Sequence, residues 1–231
     1  MLKVEPTSDY PPEEGRYLRG NDYSPVAVAV ILIYEQEKIP PDIENLVRVG
    51  LESGAALSGT IQTENIGIEK LICNIVANPN IRYLVLFGPE SPGHYTGDAL
   101  LMLIENGVDE RRRIIGAQAR TPYLFNLPMK FIARFRQQVR IINLLDEGDP
   151  ELLRRAVQCC FQEEPTSFRD YTLFDPGAYP EGPLSGQITW RVTRPQAEPK
   201  DEGERQQKER LRDLMARMKR AAEKKRQREQ P

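Results

Sequence analysis

The sequence predicts an α/β fold in which a parallel sheet of about five strands is flanked by helices. Three observations carry that expectation. One run is apolar at every position, apolar stripes at helical spacing alternate with shorter strand-like runs, and Pro, Gly or Asn punctuates the junctions. Such alternation argues for strands joined by helical crossovers in one sheet.

The elements follow in order. Residues 1–24 are rich in Pro, Glu, Asp and Tyr without a regular period, and read as an extended N-terminal arm. Val26-Ala-Val-Ala-Val-Ile-Leu-Ile33 has the pattern of a central strand covered on both faces. Pro40-Pro41-Asp42 can open a helix whose apolar face is Ile43, Leu46, Val47, Val49 and Leu51, ending at Ser53-Gly54. A short strand is expected at about 55–61. From Asn65 the stripe Ile68, Leu71, Ile72, Ile75, Val76 predicts a helix stopped by Asn78-Pro79-Asn80. Strand 82–87, a loop at 88–95 and a helix at about 96–106 come next. The pattern then predicts a strand Arg113–Gly116, a loop through Pro122, a helix at about 128–138, a strand 139–145 and a helix at about 150–162. The α/β domain is thus placed at 25–164.

Residues 165–203 turn Pro/Gly-rich and read as a wrapping segment and linker, with only Gln187–Thr193 resembling a strand. The segment 204–231 consists mostly of strong helix formers with both charge signs and a narrow stripe of Leu211, Leu214, Met215 and Met218. It is expected to be a charged helical tail, either solvated or packed on a partner protein.

Composition excludes several classes of function. Thirty-two Lys and Arg against thirty-four Asp and Glu give a net charge of -2, no footprint for nucleic acid. The run 26–33 is far shorter than the roughly 20 residues of a membrane-spanning helix. No apolar leader follows Met1, so a cytoplasmic location is the default expectation. Three cysteines, Cys73, Cys159 and Cys160, lack the spacing of a zinc ribbon. His94 is the only histidine, which removes a multi-histidine metal site and any serine triad elsewhere in the chain. No phosphate-binding glycine motif of the familiar types occurs.

Two segments at the carboxyl ends of strands are chemically dense: Thr63-Glu-Asn-Ile-Gly-Ile-Glu-Lys70 and Phe87-Gly-Pro-Glu-Ser-Pro-Gly-His-Tyr-Thr-Gly97. Ligands of open α/β sheets bind there, so Thr63, Glu64, Asn65, Gly93, Gly97, Gly116 and Ala117 are expected to gather at one end of the sheet. Gly88 and Gly93 permit close backbone approach to a ligand. Thr63 can cap its helix and Glu64 can complement the helix dipole. His94 precedes a helix N-terminus, and on residue type alone both a structural hydrogen bond and metal ligation stay open. Glu90 is a candidate acid or base with a solvated carboxylate as the alternative.

Read together, Thr63–Lys70, Ile75-Val-Ala-Asn-Pro-Asn-Ile-Arg82, Gly93-His94-Tyr-Thr-Gly97, Glu105-Asn-Gly-Val-Asp-Glu110, Arg113-Ile-Ile-Gly-Ala117 and Arg134-Phe-Arg-Gln-Gln138 closely resemble the A subunit of tetrahydromethanopterin S-methyltransferase. The colinear match spans about residues 20–160. The resemblance implies a Rossmann-like carrier of a cobalamin-type corrinoid in which the loop histidine, here His94, is the lower axial ligand of cobalt. It implies a methylated tetrahydropterin as donor, a thiol such as coenzyme M as acceptor, and partner methyltransferase subunits that bring them. The widespread corrinoid motif Asp-x-His-x-x-Gly has its Asp replaced by Pro92, so the second ring nitrogen of His94 needs another partner. Membrane-bound members of the family end in a hydrophobic anchor, whereas this chain ends in the charged 204–231 segment, so a carrier without a membrane span is expected. The competing class is a non-catalytic interaction protein that keeps the α/β scaffold but not the cofactor; retention of His94 in its Gly-His context separates the two.

Overall fold

The computed structural model describes residues 2–33 and 39–189; the 204–231 segment and residues 190–203 lie outside the described residues. Twelve elements follow the chain. They are β1 (Tyr17–Arg19), β2 (Val26–Ile31), α1 (Pro41–Glu52), β3 (Leu57–Ile61), α2 (Ile66–Val76), β4 (Tyr83–Gly88), α3 (Thr96–Asn106), α4 (Met129–Gln138), β5 (Arg140–Leu145), α5 (Pro150–Cys159), β6 (Thr166–Phe168) and β7 (Tyr171–Leu173). The sheet order is β1-β3-β2-β4-β5, with β1 antiparallel and all other pairs parallel.

The α/β class is as expected, and β2 shows why its strand pattern has no polar position. Ala27, Ala29 and Ile31 point into a core beneath α2, α3 and α4, formed with Ile72, Leu100 and Phe135. Val26, Val28 and Val30 point the other way, against Leu46 and Val47 of α1 and Leu153 and Val157 of α5. Period-two alternation across a central strand therefore demands an apolar residue at every step.

Two expectations about the sheet are corrected. Residues 113–116 are not a strand of it. The run makes only isolated bridges, Ile114 with Val108 and Arg113 with Tyr123, and Arg112 and Gly116 adopt positive φ of 65° and 86°. The apolar character of that run is satisfied by burial of Ile114 within a coiled connection from α3 to α4. The fifth strand comes instead from the arm. Leu18 pairs with Ser58 in an antiparallel edge strand, so the sheet is mixed rather than wholly parallel. In the 165–203 segment, β6 and β7 form an unforeseen hairpin about Arg169 at φ 49°, while Gln187–Thr189 is not a strand.

The arm and the segment after β7 are held by side chains. Asn74 of α2 brackets Glu13, accepting from its N–H at 2.8 Å and donating to its carbonyl at 3.0 Å. Arg134, buried in α4, donates to Glu181 and to the Gly182 carbonyl while its guanidinium lies 4.1 Å from the Tyr179 ring centroid. At the far edge of the sheet, the Asn143 N–H donates to the Tyr171 hydroxyl at 2.9 Å and the Leu145 N–H to the Asn143 side chain at 3.1 Å.

Candidate functional site

The site is built where β3 and β4 end. After β3, Thr63 Oγ1 accepts the Gly67 N–H at 2.8 Å and Asn65 Oδ1 accepts the Ile66 N–H at 2.7 Å, which together start α2. This tight entry points Glu64 inward, and its side chain is 2% exposed. After β4, Gly88 and Gly93 take φ of 92° and 90°, conformations that favour glycine. Tyr95, left-handed at φ 45°, makes no side-chain cap of α3, and Glu90 does so instead. Its carboxylate accepts the Gly97 N–H at 3.2 Å and the Asp98 N–H at 2.7 Å, the placement of negative charge that a helix N-terminus favours. Glu90 is thus the side-chain cap of α3.

His94 Nδ1 lies 2.7 Å from Glu64 Oε2. The other carboxylate oxygen, Oε1, accepts from the Thr121 hydroxyl at 2.7 Å and the Thr121 N–H at 3.2 Å. Thr96 Oγ1 donates to the Gln62 carbonyl at 3.1 Å, tying the start of α3 to the end of β3. The loops at 62–65 and 93–97 therefore meet at one end of the sheet. Burial pushes the Glu64 carboxyl up, but the hydrogen bonds from Thr121 and His94 outweigh it and hold the group below the usual carboxylate range. A carboxylate accepting at Oε2 makes His94 Nδ1 the donor of that bond. The ring is 32% exposed, against 2% for its buried partner.

Glu64 takes the place that Pro92 vacates, thirty residues earlier in the chain than His94. Sequence reasoning placed Glu64 at the ligand end of the sheet and let it complement the helix dipole, but did not pair it with His94, and missed Thr121 altogether. The remaining candidates are placed as follows. A Cβ at Gly97 would come 2.6 Å from Leu145 Cδ2 and 2.7 Å from Glu90 Oε2, so this glycine is required by the packing of α3. Gly116 lies against Asn106 and Met102 in the later half of α3. Ala117 is buried, and the next residue, Gln118, donates through its N–H to Asp98 at 2.8 Å. Among the described residues no cluster of three or more His, Cys, Asp or Glu could hold a metal, so a metal ligated by His94 would have to bring its other ligands with it.

A family model for the A subunit of tetrahydromethanopterin S-methyltransferase matches residues 3–175. The chain belongs to that family. It is 41% identical over 172 residues to the tetrahydromethanopterin S-methyltransferase A subunit 1 of Methanothermobacter marburgensis, covering 74% of this chain and 68% of the relative. It is 38% identical over 186 residues to the A subunit 2 of Methanothermobacter thermautotrophicus, covering 80% and 90% respectively. With the A subunit of Methanopyrus kandleri it shares 38% over 185 residues, covering 79% and 67%. The family protein is one component of a multi-subunit methyltransferase, which implies partner subunits. Among the described residues no helix is long and apolar enough to cross a membrane.

Proposed function

We propose that this chain is the corrinoid-binding methyl carrier of its methyltransferase, passing a methyl group from a methylated tetrahydropterin through cobalt to a thiol such as coenzyme M. The single observation that supports the reading is the hydrogen bond of 2.7 Å between His94 and the buried Glu64. A carboxylate behind an imidazole orients the ring and raises the basicity of its other nitrogen, the recurrent arrangement at metal-ligating histidines. The donor set fits the group, because a corrinoid supplies four equatorial nitrogens of its own and asks the protein for one axial nitrogen. When bound, the corrinoid would supply cobalt that can accept and release a methyl group.

The work of the chain is to hold and tune. His94 Nε2 would be the axial donor, with Nδ1 keeping its proton on the Glu64 side. The anionic Glu64 would keep the ring in place through Nδ1. Thr121 holds Oε1 with two donors, which prevents the carboxylate from turning away. Gly93 and the Glu90 cap set the loop that carries the ring. The parallel strands β3, β2, β4 and β5 serve as a Rossmann-like scaffold whose carboxyl ends present both loops. Activation of donor and thiol falls to the partner subunits.

The test is reconstitution of the full chain with hydroxocobalamin, desalting, and an absorption spectrum. Retained cobalamin in base-off form, with the axial-nitrogen signature lost in His94→Ala, is expected. Identical spectra for the two proteins, or no retained cobalt in either, overturn the reading.

A further inference from the structure

We propose that a cavity under α2, which shares Gln62 and Thr63 with the loop after β3 but is not lined by His94, is a second binding site for a small apolar molecule carrying an anionic head such as a carboxylate. The cavity measures about 300 Å³ and lies between α2, the β3–β2 part of the sheet and arm residues Glu14–Tyr17. That volume is at the lower end of the roughly 300–1,000 Å³ of small-molecule sites. Around it the interior is closely packed, with Ile68, Ile72 and Leu86 fully buried.

The cavity owes its existence to small residues on one face of the sheet. Ala29 and Gly59 are direct partners across β2 and β3, and Ala27 lies two residues before Ala29 on the same face. Gly59 has a separate reason to lack a side chain, since a Cβ there would come 2.5 Å from Tyr17 Cβ. Ala29 lines the cavity directly. Leu71 and Ile75 of α2 and Leu84 of β4 complete apolar walls. Such walls give water little to bond, so an apolar body enters without displacing well-held solvent.

The mouth is charged, and its balance is positive. Lys70 and Arg16 both line the cavity, together with Glu14 as the one acid. Lys70 Nζ donates to the Glu14 carbonyl at 3.0 Å rather than to its carboxylate. The Arg16 guanidinium is exposed and makes no hydrogen bond or ion pair among the described residues. An apolar body inside therefore finds two cationic donors for an anionic head at the rim.

The experiment titrates the full chain with anilinonaphthalene sulfonate, an aromatic anion whose emission rises in apolar surroundings, and displaces it with octanoate, octanol or octylamine. Saturable emission is expected, with octanoate displacing the dye about tenfold more tightly than octanol, the least effect of a charge-assisted hydrogen bond. Octylamine should be weaker still. Ala29→Leu fills the cavity and should abolish both dye and octanoate binding, with the thermal midpoint held or raised; Leu71→Phe fills it from the helix side should the first variant fold poorly. The double variant Arg16→Gln/Lys70→Gln should bring octanoate down to the level of octanol. No emission rise, octanoate no tighter than octanol, or full binding by both filled variants overturns the proposal.

Discussion

Replacing Glu64 by Gln keeps the shape of the side chain and removes only its charge and one acceptor. The carboxylate accepts three hydrogen bonds, from His94 Nδ1, the Thr121 hydroxyl and the Thr121 N–H. An amide offers one oxygen and one NH2 group, and either orientation fails somewhere. With its oxygen toward His94, the NH2 faces the Thr121 N–H, donor against donor. With its NH2 toward His94, Nδ1 must become the acceptor, the proton moves to Nε2, and the lone pair needed for metal ligation is gone. The first orientation loses a buried hydrogen bond and the second trades a charged acceptor for a neutral one, about 1.5–3 kcal/mol for a bond to a charged group. Each kcal/mol shifts the midpoint of a domain this size by about 2–4 °C, so thermal unfolding of the Glu64→Gln protein should come several degrees earlier. Loss of an outer partner typically weakens metal affinity about 10- to 100-fold, and cobalamin retention after equilibrium dialysis should fall within that range. Glu64→Gln protein that holds cobalamin as tightly as the unaltered chain, with the same spectrum and melt, would refute the assignment of Glu64 as the residue that orients His94.

Gly97→Ala should destabilise by about 1–3 kcal/mol in urea unfolding, because its methyl group overlaps Leu145 and the Glu90 carboxylate. Arg134→Ala should cost at least about 2 kcal/mol and open the 176–188 stretch to limited proteolysis; Arg134→Lys should not restore it, since an ammonium cannot serve Gln138, Glu181 and Gly182 at once. Two carboxyls should shape the acid limb of stability in opposite directions. The Glu64 value lies below its unfolded one, so its contribution is complete above the ordinary carboxylate range and is lost as pH falls through the folded value; Glu64→Gln should narrow its deficit there. Burial raises Glu69, which instead costs stability as pH rises through its folded value, so the stability of Glu69→Gln relative to the unaltered chain should improve from acid to neutral pH in the same urea series.

Helices and central strands were legible because their signals are local. Pro41 opens α1, Asn65 caps α2, and the uninterrupted apolar run of β2 can only be buried on both sides. What escaped was set by distant partners. Tyr17–Arg19 becomes a strand only because Gly59 lets the arm approach, and Arg113–Gly116 stays outside the sheet because Ile114 is buried by a loop. In the site, the single histidine and its flanking glycines stood out. The role of Glu64 did not, since nothing near it announces a bond to a ring thirty residues away, and Thr121 sat in a stretch without any pattern.

The far edge of the sheet decides how this protein meets copies of itself. Along β5 the outward N–H groups of Asn143 and Leu145 are already taken, one by the Tyr171 hydroxyl of the β6–β7 hairpin and one by the Asn143 side chain. At the opposite edge β1 offers only three residues. Neither border can template another strand, which is how natural sheets escape edge-to-edge polymerisation. On the proposed function, a chain that presents one end of its sheet to partner subunits is served by inert lateral borders. Tyr171, remote from His94 in sequence, guards that inertness with a single oxygen.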